Sequence, residues 1–256
     1  MTKRQKFVIS SLLLSCGFLL MQFFAIGLRY QVISGLTFMT LVFAVWALRD
    51  GLGRNATLLG LVLPTFFTAG VGLFYFLLPA SVLSAIPVLV LYAIGIYALF
   101  LTSNIYTVAT LRTIALLRAA HAVGFLLTLL TAFLLFDTIF SLKLNFGFNS
   151  LGTALIAFPM LLQGFWSIDL EHKLGKDVLY SALGGAVVVG ELAMILSFWP
   201  ITVPVASLTL TTVLYVVLGL GQAKLQQRFF ARTIREYFLV GAVVLLTMFA
   251  TARWAG

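Results

Sequence analysis

The stretch from Val178 to Trp199 reads VLYSALGGAVVVGELAMILSFW, and its reading decides the fold. Glu191 is its one charged residue, set among apolar, small and aromatic side chains. A helix rises 1.5 Å per residue, so a run of about 20 such residues crosses the hydrocarbon core of a bilayer. Lipid offers the backbone no hydrogen bonds, which makes the helix the conformation such a run must take.

Working outward in both directions, comparable runs occur at about 7–28, 30–48, 56–78, 82–103, 119–140, 148–168, 201–221 and 238–254, with ends good to a few residues. The sequence therefore predicts an all-α, polytopic transmembrane helix bundle of about nine spans. It reads as one integral membrane domain over 1–256 with no soluble domain, since no loop exceeds roughly 16 residues.

Composition points the same way. Of 256 residues, 62% are hydrophobic and 9% charged, and the mean hydropathy is +1.14. Soluble domains carry roughly a quarter of their residues as charges, so too few are present here to coat a globule in water. The net charge of +9 does not indicate nucleic acid, because the cations sit in short gaps between apolar runs rather than on a soluble basic face. Cys16, the single cysteine, lies inside the first run and carries no compartment information.

Those gaps give the bundle a direction. With the N-terminus inside the cell, every Lys and Arg falls on the inner side except Arg29, Lys143 and Arg253. A miscounted span would collapse this alternation from that point onward. The C-terminus is accordingly expected outside. Thr2 to Lys6 forms a positive leader, but the run behind it is too long for a cleaved signal and reads as a retained first helix. Trp46, Trp166, Trp199 and Trp254 fall near span ends, as interfacial indoles do.

Two inner gaps are long enough for structure of their own. Asn104 to Arg118 places Arg112 and Arg118 near one helical face. In Gln222 to Tyr237, Lys224, Arg228, Arg232 and Arg235 are spaced four, four and three, which is one face of a helix. An amphipathic helix on the inner leaflet, contacting anionic lipids, is expected there. Topology alone also accounts for these charges.

Glu191 is the expected polar centre. It lies roughly 12 Å below the outer boundary of its span, and carboxylates at such depth face a bundle interior and find partners. The next helix brings Ser207, Thr209 and Thr211 to its level. The functional reading is a proton or ion relay, or a contact to a substrate headgroup; the structural reading is a hydrogen bond between helices. Ser181/Gly185 and Ala186/Gly190 on the same run are small-residue pairs suited to close helix packing. Gln163 lies too far in depth to reach Glu191 and is expected to bond a neighbouring helix or interfacial water. Pro64, Pro87, Pro159 and Pro204 would suit a transporter's broken helices, yet membrane helices tolerate proline generally.

Asp169 to Asp177, with His172, is the densest polar cluster and reads as a solvated turn. Gly51 to Gly53 is another turn. No zinc-protease, serine-hydrolase or phosphate-loop motif is present, so no catalytic residue, cofactor or metal is assigned.

The segments Gly190-Glu191-Leu192-Ala193, Ser197-Phe198-Trp199-Pro200 and Arg235-Glu236-Tyr237-Phe238-Leu239-Val240-Gly241 resemble the C-terminal half of uncharacterised polytopic membrane proteins from small-genome candidate-phylum bacteria. That resemblance implies a multi-pass protein of the bacterial inner (plasma) membrane and supplies no activity. Three functions stay open: a transporter-like or lipid-accommodating bundle, an intramembrane enzyme acting on a lipid or isoprenoid substrate, and a structural subunit with a membrane protein partner. An enzyme would gather several polar groups at one depth, which favours the first.

Overall fold

The computed structural model describes residues 2–21, 28–48, 54–78, 82–109, 115–170 and 175–252, with the side chains of 54–57, 82–84 and 169 outside that description. Within it lie α1 (Lys3–Met21), α2 (Arg29–Leu48), α3 (Arg54–Tyr75), α4 (Val82–Ala109), α5 (Leu117–Ser141), α6 (Phe146–Asp169), α7 (Lys176–Leu196), α8 (Val203–Leu225) and α9 (Ala231–Thr251). All nine are long and apolar enough to span a membrane. Arg49, Gly51 to Gly53, Arg112, His172, Lys173, Arg253 and Trp254, singled out in the sequence, lie outside the described residues.

The chain packs as two units. Unit 1 runs from Met1 to Thr131 and takes in 170–173; unit 2 comprises Ala132 to Asp169 and Leu174 to Gly256. In unit 1, α1 packs on α2 and α4, and α3 on α2 and α4. Its core centres on Tyr92, whose ring lies 4.8 Å from Phe18 and 5.9 Å from Phe67, centroid to centroid. The Tyr92 hydroxyl lies 3.1 Å from that of Thr68, which accepts from Thr40 at 3.0 Å. All three side chains are fully buried, so this chain of hydroxyls joins α2, α3 and α4 where no water reaches.

Pro64 lies inside α3 and cannot donate to the carbonyl of Gly60, four residues back. Ser103 of α4 supplies the missing donor, its hydroxyl reaching the Gly60 oxygen at 3.1 Å. Pro204, by contrast, stands in the first turn of α8, where its absent N–H costs nothing.

In unit 2, α6 packs on α7 and α8, α7 on α8, and α9 on α8. The small-residue reading of α7 explains the α6 contact: a Cβ on Gly190 would stand 3.0 Å from the Ala154 methyl and 3.1 Å from the Ser150 carbonyl. Gly185 is closed by Val217 at 2.6 Å and Leu161 at 2.8 Å. Gly184, one residue away, faces open space.

Some expectations change here. No surface helix carries Lys224, Arg228, Arg232 and Arg235 on one face, because α8 stops at Leu225 and α9 starts at Ala231. A turn intervenes, with Gln227 left-handed at φ 55°. The Arg228 amide bonds the Ala223 carbonyl at 2.8 Å and the Gln227 amide that of Lys224 at 3.0 Å. That paired closure ends a helix, and the four-residue spacing continued across it only by coincidence. Likewise, α4 runs on to Ala109, taking the first part of the expected 104–118 surface segment into the span. Trp166, near the end of α6, is 2% exposed, so its ring packs against protein.

Candidate functional site

Glu191 does not face the interior. It is exposed on α7, whose buried face is formed by Val178, Ala182, Gly185, Ala186, Val189, Gly190, Ala193 and Leu196. The hydroxyls expected to serve it are buried but occupied elsewhere. Thr209 donates to the Val205 carbonyl at 2.8 Å and Thr211 to that of Ser207 at 2.7 Å. Ser207 meets a different acid, Asp137, at 3.3 Å, and also reaches the Val203 carbonyl at 2.8 Å.

Among the described residues, Asp137 is thus the buried carboxylate, 6% exposed near the end of α5. Sequence reasoning passed over it because it stands three residues from the expected end of its run, where an acid reads as interfacial. The signal was present all the same: Asp137 and Glu191 are the acids inside predicted runs, and both called for the same scrutiny. At the same end of unit 2, the Asn149 amide donates to the Ser197 hydroxyl at 3.0 Å, leaving its buried carbonyl oxygen without a described partner.

Toward the other ends of α6 and α8, Gln222 donates to the Gly164 carbonyl at 2.9 Å. Neighbouring Gln163 is buried, and its carbonyl oxygen has no described partner. The bond between α6 and α8 at this level is made by Gln222.

The cations divide between the two sides of the α8–α9 turn. Lys224 stands in the last turn of α8, where a cation suits the negative end of the helix. Arg228 is exposed in the turn. Arg232 and Arg235 occupy the first turns of α9, and Phe230 at its N-cap makes no side-chain capping bond. Arg232 pairs with Glu236 at 3.1 Å. Arg232, Arg235, Glu236 and Leu239 line an open cleft of about 320 Å³. Cations at the positive end of a helix are unfavourable unless an anion joins them.

Unit 1 has a groove of its own, about 410 Å³, running along α2 and α3 between Tyr30, Ser34, Thr37, Leu41, Thr65 and Leu73. Its walls are mainly apolar, and the buried hydroxyl oxygen of Thr37 has no described partner. Among the described residues, no three His, Cys, Asp or Glu side chains gather as metal ligands do.

Residues 17–251 match the family model described as "Protein of unknown function (DUF5656)". The match spans most of the chain, which belongs to this family. No curated protein and no solved structure gives a significant match. The protein is an all-helical member of the DUF5656 family whose helices fit a multi-pass membrane protein.

Proposed function

We propose that the protein is a non-enzymatic bundle of the bacterial inner membrane that accommodates an anionic lipid-like molecule, with the headgroup held at the start of α9. The cleft at Arg232 and Arg235 carries this reading. It brings together the guanidinium groups of Arg232 and Arg235, of which Arg232 also pairs with Glu236, and two such groups favour a phosphate. Leu239 on its wall gives the acyl chain a way out along α9, where only Met248 is buried. The inward placement of this end follows from the charge alternation in the loops. The groove of unit 1 supports the same reading, as an apolar channel fit for an acyl or isoprenoid chain.

An enzyme acting on the same lipid is less well supported. The two intramembrane acids do not converge: Asp137 is buried against Ser207, and Glu191 is exposed on α7. The test is lipid retention. Purified from membranes and exchanged into mixed vesicles, the protein should keep phosphatidylglycerol over phosphatidylcholine. Each cation near a headgroup contributes about 1 kcal/mol, so Arg232→Ala with Arg235→Ala should reduce that preference by roughly thirtyfold. An unchanged preference would refute the proposal.

A further inference from the structure

Arg29 is a cation that topology does not explain. Charge alternation accounts for the cations of the inner side and leaves Arg29 on the outer side, at the first position of α2. Its guanidinium carbon lies 4.8 Å from the centroid of the Phe76 ring, just past the end of α3. Among the described residues no carboxylate pairs with it. The nearest acid in the sequence, Asp50, follows the opposite end of α2.

The groove of unit 1, about 410 Å³, opens beside this cation. Tyr30, the next residue, and Leu73, one turn before Phe76, line its near end, and Thr37, Leu41, Thr65 and Ala69 carry it deeper. Four-residue spacing sets Thr65, Ala69 and Leu73 in one stripe of α3. The Thr40–Thr68 bond and the approach of Ile33 to Gly72 hold the two helices together alongside it. Ser34 and Thr40 of α2 donate to the carbonyls four residues back. Thr37 does not: its hydroxyl oxygen is buried and has no described partner. Such a group is costly in hydrocarbon unless an acceptor reaches it.

We propose that the groove holds one chain of an anionic glycerophospholipid of the outer leaflet, its phosphate on Arg29 and its ester carbonyl accepting from Thr37. A guanidinium matches a phosphate in charge and geometry. Arg29 and Thr37 are eight residues apart, roughly 12 Å along the helix, a span that glycerol and its ester link bridge from a bound phosphate. A zwitterionic lipid brings the same ester, but its own ammonium competes for the phosphate. An isoprenoid phosphate brings no carbonyl for Thr37. The proposal rests on the use of the groove as a chain channel made under the proposed function, and adds a second headgroup site that owes nothing to Arg232 and Arg235.

The test is photolabelling in phosphatidylcholine vesicles, with phosphatidylglycerol and phosphatidylcholine each carrying a diazirine in the acyl chain and adducts mapped by mass spectrometry. Adducts on α2 and α3 should favour phosphatidylglycerol. Arg29→Gln should lower that ratio by about fivefold, and Arg29→Lys should keep most of it. Thr37→Val, which preserves side-chain shape, should lower labelling by ester-linked phosphatidylglycerol by roughly threefold. Labelling by the ether-linked analogue, which has no carbonyl, should not respond to it. Arg232→Ala with Arg235→Ala should lower the ratio at α9 and leave that at α2 and α3 in place, so the two sites succeed or fail separately. Equal labelling of α2 and α3 by the two lipids, a ratio untouched by Arg29→Gln, or an equal effect of Thr37→Val on ester-linked and ether-linked lipid would each overturn the proposal.

Discussion

Ser207 on α8 turns its hydroxyl to Asp137 on α5, 3.3 Å away, and both side chains are buried. This contact ties the last turns of α5 to the first turns of α8, using an acid that is buried in the packing of unit 2. Glu191 on α7, by contrast, is exposed.

A double-mutant cycle reads the strength of the pair. Interhelical polar contacts in membranes are worth about 0.6 to 2 kcal/mol. Asp137→Asn combined with Ser207→Ala should show coupling within that range in reversible unfolding from bicelles. Asp137→Leu should perturb more than Asp137→Asn, since it leaves no polar group for Ser207. Zero coupling would mean that Ser207 is held by its Val203 bond alone.

Ser103 and Pro64 should depend on each other. Ser103→Ala leaves the Gly60 carbonyl buried and unpaired, at a cost of about 1 to 3 kcal/mol. Pro64→Ala restores the backbone donor within α3. In that background Ser103→Ala should cost well under half as much, measured by the same unfolding assay.

Removing only the hydroxyl in Tyr92→Phe should destabilise by about 1 kcal/mol, because the aromatic packing with Phe18 and Phe67 is kept. Tyr92→Ala should cost about 3 to 5 kcal/mol through the cavity it opens. Equal losses from the two variants would show that the hydroxyl chain, not the ring, holds α2, α3 and α4 together.

Neighbouring glycines of α7 should respond in opposite ways. Gly185→Leu drives a side chain into Val217 and Leu161, and overpacking of this kind costs about 1 to 3 kcal/mol. Gly184→Leu meets nothing in its own chain and should leave the melting temperature in place.

The spans were legible because hydropathy acts over a whole helix, and Val178 to Trp199 announces itself whatever packs against it. Orientation of individual side chains within a span was not. In water, an apolar face marks the inside; in lipid both faces of α7 are apolar, so periodicity could not say whether Glu191 turned inward. The α8–α9 turn was lost for a related reason. Gln227 adopts a left-handed backbone that glycine usually supplies, so no turn residue broke the four-residue spacing of Lys224, Arg228 and Arg232. The close approach of α7 to α6 was readable, since Ala186 and Gly190 needed only their size to announce it.

The bond from Ser103 to Gly60 also bears on how the chain enters the membrane. Helices leave the ribosome in order, and α3 arrives carrying a carbonyl that its own proline has left unmet. Alone in lipid, that oxygen would have no donor until α4 came alongside. A serine on one helix thus completes what a proline on the preceding one leaves open, so that α3 is fully hydrogen-bonded only once α4 lies against it.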